Sequence, residues 1–425
     1  AMRAGDRRLL IINSYNEAAP WSQELITPVA LRIAQTDGVH ADIVHMNATF
    51  IRNDSSFRQV ENGVFQRYEN SKPDYLVLIG NMSFTLRDRI VREWGDIPMV
   101  LISKIRGVGP LDFYFTGETP DITDVPLTPL TDLRERYNFT LVEVPDLYGQ
   151  SIDMMVSMLP RMRKLVFMAD EFYLNRYLNG LIGRYMAEKY PDFEYEWLVG
   201  NERNGDRMQE YLNDNDPSVG LLLSTWFYER MSVHGFPMLI SGDARMISAA
   251  KRPVFSLRSA YLRNGITGGY FPDPKQTRQA VMDAVTKMLD GVSMRDVPFA
   301  YATESYPIVN YTQLIQDRMP VDVCPEGTVF VNKPKTFWQQ YSWYIIVGLV
   351  VFAATVVIAV LSWVFQRKKI ALFMAHKKLV ENMPIGYSQA SVRYGADGRV
   401  ADIEYHSGNE AFAALVRENA APDFS

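Results

Sequence analysis

Tyr75-Leu76-Val77-Leu78-Ile79-Gly80-Asn81 is the stretch on which the fold turns. Five apolar residues follow one another without alternation, as in a strand covered on both faces of a parallel sheet, before a glycine and an asparagine end it. Similar runs recur at 9–12, 99–102, 165–169, 220–223 and 254–257. A more polar run, 41–46, reads as a strand nearer an edge. Helical patterns lie between them at 23–34, 84–94, 148–159, 176–189 and 206–213. This alternation predicts an α/β, doubly wound architecture.

The series divides in two. Strands near 9, 42, 75 and 99 form one group; strands near 140, 165, 195, 220 and 254 form another, with a Pro- and Thr-rich crossover at 120–133. The expected lobes are about 8–120 with part of 260–337, and about 138–259. Two such lobes enclose a cleft, because ligands of open α/β sheets sit beyond the carboxyl ends of the strands. A further helix is signalled at Asp273-Pro274, with Ala280, Val281, Ala284, Val285, Met288 and Leu289 on one face and Gly291 at its stop.

Residues 343–365 contain no charged side chain, and Gln366-Arg367-Lys368-Lys369 follows at once. At about 1.5 Å per residue this segment makes a helix of about 34 Å, enough to span a hydrocarbon core of about 30 Å. The basic cluster, extended by Lys377 and Lys378, marks the C-terminal side as cytoplasmic. Tyr341, Trp343, Tyr344 and Trp363 flank the span as interfacial aromatics. The expected layout is a periplasmic N-terminal domain and a cytoplasmic C-terminal segment on a bacterial inner membrane. An export signal is expected ahead of Ala1, and both ends read as cut.

Hydrophobic residues make up 47 %, charged residues 22 %, and the net charge is −5, so nothing points to nucleic acid. Cys324 is the single cysteine, so the outer domain rests on its core without an internal disulfide, as is ordinary for a bacterial periplasmic protein. His40 and His45 fall on opposite faces of their strand, and the sequence carries no metal-ligand spacing, Gly-x-Gly-x-x-Gly, phosphate-cradling loop or Gly-x-Ser-x-Gly elbow. No catalytic residue and no metal site are expected.

The two-lobe pattern, Gly268-Gly269-Tyr270 read as a turn, and the capped helix ending Leu289-Asp290-Gly291 resemble the substrate-binding proteins of ABC transporters, most of all the branch fused to bacterial sensor kinases. The tail Asn310-Tyr311-Thr312-Gln313-Leu314, Pro325-Glu326-Gly327-Thr328, Asn332-Lys333-Pro334 and Phe337-Trp338 resembles the linker by which that branch meets its membrane helix, with Asn310 where an aspartate is expected. The resemblance implies a type I periplasmic-binding-protein-like domain over residues 8–337.

Residues 366–382 read as a juxtamembrane signalling helix. Beyond them, Asn382-Met383-Pro384-Ile385-Gly386-Tyr387, a hairpin cue at Gly395-Ala396-Asp397-Gly398, an alternating run from Ala401 to His406 and a helix opening at Asn409 resemble the N-terminal part of an α+β PAS domain over 383–425. The resemblance implies the sensory portion of a two-component histidine kinase. Its kinase core, with ATP and Mg²⁺, lies outside this sequence, and this segment needs no cofactor. It also implies a homodimer, the lipid bilayer, and a response regulator or fused receiver domain as partners. The rivals are a membrane-tethered binding protein serving an ABC transporter, and the same sensor coupled to a cyclic-dinucleotide synthase.

Candidate ligand contacts lie in the loops leaving the strands: Ser14, Tyr15, Asn16 and Trp21, then Asn81, then Ser103, and in the second half Asp170 and Tyr173, then Thr225 and Trp226, then Arg258. Polar side chains beside aromatic platforms suit a small polar or aromatic metabolite. Lys104 and Arg258 suit a carboxylate or phosphate.

Overall fold

The computed structural model describes residues 6–17, 19–116, 125–235, 237–241 and 243–419. Ala1, part of the 120–133 stretch and Ser425 lie outside the described residues.

The first lobe alternates β1 (Arg7–Asn13), α1 (Pro20–Ala34), β2 (Val39–His45), α2 (Asp54–Arg67), β3 (Tyr75–Ile79), α3 (Arg87–Trp94), β4 (Met99–Ser103) and β5 (Phe139–Glu143). Its five parallel strands run in the order β2-β1-β3-β4-β5. Leu9 to Ile12 and Leu76 to Ile79 have no exposed surface, as unalternating runs in a sheet covered on both faces require. β2 takes the edge, which explains its polar text. The strand near 140 is corrected: as β5 it pairs with β4, Met99 opposite Phe139, and belongs to the first lobe. The helix expected at 84–94 is a 3₁₀ turn, Ser83–Leu86, followed by α3.

The second lobe contains α4 (Tyr148–Met158), β6 (Lys164–Asp170), α5 (Tyr173–Lys189), β7 (Glu194–Gly200), α6 (Gly205–Asn213), β8 (Val219–Leu223), the hairpin β9 (Phe227–Met231) and β10 (Pro237–Ser241), α7 (Asp243–Ser248), β11 (Val254–Ser256) and β12 (Gly268–Pro272). The chain then crosses back. α8 (Pro274–Leu289), capped by the Asp273 side chain on the Lys275 amide, lays Val281, Ala284, Val285, Met288 and Leu289 onto the first lobe beside Leu9, Ile11, Val77 and Val100. It returns as β13 (Ser305–Asn310), α9 (Tyr311–Gln316) and β14 (Val329–Val331). The sheet order is β14-β13-β12-β11-β8-β6-β7, with β13 antiparallel to β12.

The second lobe therefore does not end near 259: residues 254–272 and 305–331 complete its sheet. Gly268-Gly269-Tyr270 is strand rather than turn. A Cβ on Gly269 would stand 2.2 Å from the Ser256 carbonyl oxygen, so the two glycines let backbones meet across the sheet. Asn310 caps α9 by accepting from the Gln313 amide at 3.3 Å, and its Nδ2 donates to the Leu262 carbonyl at 3.0 Å. An aspartate would supply the first bond but not the second.

Three connections join the lobes, at 144–147, 273 and 301–304, with Ala300 still bridged to Val142.

Residues 334–425 form a separate unit. A single helix, α10 (Phe337–Glu381), carries both the apolar stretch and the juxtamembrane residues after it, and it is long and apolar enough to cross a membrane. Nothing in the sequence breaks it, because the basic residues after Phe365 are good helix formers. The antiparallel hairpin β15 (Ser388–Tyr394) and β16 (Val400–Gly408) follows, then α11 (Glu410–Asn419). Asn409 is buried and holds this unit together. Its Oδ1 accepts from the Tyr387 and Phe412 amides at 2.8 and 3.0 Å, and its Nδ2 donates to the Ile385 carbonyl at 2.8 Å.

Candidate functional site

The sheets present the carboxyl ends of their strands to the space between the lobes, but most of the polar residues there turn inward. Ser14 Oγ accepts from the Ser83 amide at 2.9 Å. Gly80, at φ +83°, allows this: a Cβ there would lie 2.8 Å from Ser14 Oγ. Asn81 Nδ2 donates to the Ile105 and Gly107 carbonyls at 3.2 and 2.9 Å, and Ser103 Oγ donates to Asn81 Oδ1. Ser14, Asn81 and Ser103 are buried and tie the first lobe's loops together. These three spend their polar atoms on their own loops, since an unsatisfied strand end inside a lobe is costly.

Asp170 and Trp226 turn inward in the same way. The Asp170 carboxylate accepts from the Phe172 amide at 3.1 Å, Asn175 Nδ2 at 2.7 Å, Thr225 Oγ1 at 2.7 Å and the Phe227 amide at 3.2 Å. Burial pushes its pKa up from the usual carboxylate range, against the pull of these four donors. Thr225 belongs to this network, also accepting from Asn175. Trp226 is fully buried among Val166, Met168, Leu198 and Leu221, a core residue rather than a platform.

The remaining residues do converge. Tyr15 stands edge-on to Trp21 at 5.1 Å and to Phe172 of the second lobe at 5.6 Å, and its hydroxyl hydrogen-bonds Tyr173. Tyr173 packs on Tyr114 at 5.0 Å and meets the backbone of Asn81 and Met82. Burial raises the pKa of both tyrosines, which stay neutral. Arg176 Nη1 donates to the Phe115 carbonyl at 2.7 Å. Side chains of both lobes therefore meet and fill this part of the cleft. Asn16 sits beside this cluster in sequence, with its Oδ1 buried and unpartnered among the described residues.

Behind it, on the side of the connections, lies a cavity of about 100 Å³ lined by Trp21, Glu24, Lys104, Asp146, Arg258 and Arg278 among others. Lys104 follows β4 in the first lobe, Arg258 follows β11 in the second, and Asp146 lies on the first connection between them. Lys104 Nζ donates to Asp146 Oδ1 at 2.6 Å, and Arg258 Nη1 donates to the same oxygen. Arg258 Nη2 reaches Ser224 Oγ at 2.9 Å. Lys104 Nζ also stands 5.1 Å from the Trp21 ring. The Lys104, Asp146 and Arg258 side chains are only 8 %, 3 % and 10 % exposed. Burial brings the Lys104 pKa down to about 8, Asp146 working against the shift and Arg258 adding to it. Burial alone would raise Asp146, but Arg258 and Lys104 hold it below its usual range.

Asp146 escaped the sequence reading although it leaves a strand end as the others do. Its strand, 139–143, reads in sequence with the second group, while its hydrogen bonds to β4 place it in the first lobe. Glu24 and Arg278 are helical and gave no signal of their own.

The sequence matches no protein-family model and no curated protein. A conserved domain protein from Vibrio cholerae O1 biovar eltor superposes with a TM-score of 0.50 at 14 % identity, over 76 % of this chain and 99 % of that one. The ABC domain in complex with L-Trp from Streptococcus pneumoniae gives 0.49 at 11 % identity, over 76 % and 100 %. A sugar ABC transporter structure from Yersinia enterocolitica gives 0.47 at 13 %, over 75 % and 86 %. With its strand order and three interlobe connections, the chain has a type I periplasmic-binding-protein-like fold, followed by one long apolar helix.

Proposed function

We propose that this chain is the sensory part of a transmembrane receptor that binds a small molecule between its two lobes and relays the change through α10. One observation supports the relay above all. β14 is the edge strand of the second lobe's sheet, and only residues 332–336 separate it from α10. A displacement of that lobe reaches the membrane helix through a linker too short to absorb much of it. The hairpin and the Asn409-anchored helix after α10 favour signalling over a simple tether, since a tether needs no folded segment on its far side. On the PAS resemblance, the output is a histidine kinase acting on a response regulator, working as a homodimer, with residues 6–333 periplasmic.

The test is a thermal-shift screen of the whole chain in nanodiscs against amino acids, nucleosides, sugars and organic acids. At least one class should raise the melting temperature of the lobes in a saturable way. No shift with any class would defeat the receptor reading.

A further inference from the structure

The cavity beside the connections has an unbalanced charge. Lys104, Arg258 and Arg278 face Asp146 and Glu24, three cations against two carboxylates. The imbalance is sharpest where exposure is least. Lys104 and Arg258 share one oxygen, Asp146 Oδ1, while Asp146 Oδ2 is buried and has no hydrogen-bond partner among the described residues. One carboxylate cannot neutralise two buried cations, and a buried charge left over is costly. A buried acceptor without a donor is costly as well. The two deficits are of opposite kind and lie on adjacent atoms, so one molecule can relieve both.

We propose that the ligand is a small oxyanion, carrying a carboxylate or a phosphate that Lys104 and Arg258 receive, and a neighbouring hydroxyl or N–H group that donates to Asp146 Oδ2. Arg278, exposed at the rim on α8, adds attraction at the entrance, and Trp21 offers its ring as one wall. Asp146 then holds the two cations in place and keeps a donor site for the incoming molecule. The inference rests on the receptor reading above and narrows it to a chemical class. Burial lowers the pKa of Lys104, with Asp146 opposing the shift and Arg258 adding to it. An arriving anion favours its protonated form, so binding takes up a proton and weakens as pH rises past about 8. The charged groups facing Lys104 are Asp146 on the connection and Arg258 after β11, with Glu24 of α1 and Arg278 of α8 lining the same cavity.

The experiment is calorimetry on the whole chain in nanodiscs with matched probes: glycerate and glycerol 3-phosphate as anions, glycerol and glucose as neutral molecules, putrescine and choline as cations. An anion should bind best, and the two anionic probes separate carboxylate from phosphate. Affinity should fall at least tenfold in Lys104→Met, where Asp146 keeps Arg258 as its partner and the fold is maintained, and a few-fold in the exposed Arg278→Ala. At pH 8.5, heats measured in buffers of different ionisation enthalpy should show proton uptake in the wild type and none in Lys104→Met. A neutral or cationic probe binding best, or anion affinity unchanged in both variants, overturns the oxyanion assignment and leaves the receptor reading standing. Failure of all three classes also overturns the oxyanion assignment, whereas the receptor reading falls only if the thermal-shift screen shows no shift with any class.

Discussion

Trp226 and Trp21 show how differently two tryptophans after strand ends can be used. Trp226 is fully buried in the second lobe's core, so Trp226→Ala should lower unfolding free energy by about 3–5 kcal/mol in chemical denaturation. Trp21 is half-buried on the cavity wall, and Trp21→Ala should cost less than half of that. Equal losses would contradict this division. Lys104 gives a pH-dependent test. Its folded pKa of about 8 lies below the ordinary lysine value, so between about pH 8 and 10.5 the unfolded chain binds the extra proton. Stability should therefore rise over that window relative to Lys104→Met, and a flat difference would mean that the ammonium is not buried as described. At this scale the sequence was least informative. Residue type and position after a strand picked out Tyr15, Trp21, Tyr173 and Arg258, which do meet in the cleft region. They could not separate these from Ser14, Asn81, Ser103 and Asp170, because a polar side chain that satisfies its own loop looks the same in sequence as one that faces a ligand.

Elements were far more legible. Continuous apolar runs have few alternatives once their length is that of a strand, and six such runs became the sheet strands β1, β3, β4, β6, β8 and β11. The Asp273-Pro274 start and the Gly291 stop bracket α8 because each meets a specific backbone need, Gly291 lying at φ +83°. α2 has an equally clear start, with Asn53 and Ser56 in a capping box, yet its mostly polar text concealed it. Asn53→Ala should therefore cost about 1 kcal/mol, read as a lowered denaturation midpoint of the first lobe. No loss would mean that this cap contributes nothing. Lobe membership was harder. β5 reads like any buried strand, and only its hydrogen bonds to β4 show which sheet it completes. Likewise α8 lies between two second-lobe strands in sequence while packing on the first lobe. Sequence order carries no mark of a chain that crosses three times.

At the scale of the molecule, residues 6–333 form one compact unit with continuous cores and Cys324 as a free thiol, so this part should fold as a soluble fragment whose denaturation is indifferent to reducing agent. A cavity of about 100 Å³ is well below the roughly 300–1,000 Å³ of ordinary small-molecule sites, so a ligand of ordinary metabolite size needs the lobes to part along the Tyr15–Tyr173 contact. The ligand can then shift the balance of open and closed forms only as far as it prefers one of them, about 5.5 kcal/mol for a swing from 1:99 to 99:1. The direct measurement is an electron-spin distance distribution between labels at the exposed Gln66 and Glu188, one on each lobe, with Cys324 replaced by serine and the whole chain in nanodiscs. On saturation with a probe that binds, the account predicts that a broad or two-component distribution collapses to a single distance, and that Lys104→Met requires at least tenfold more probe to do so. A distribution that stays unchanged at saturation would contradict the claim that ligand binding is coupled to movement of the lobes.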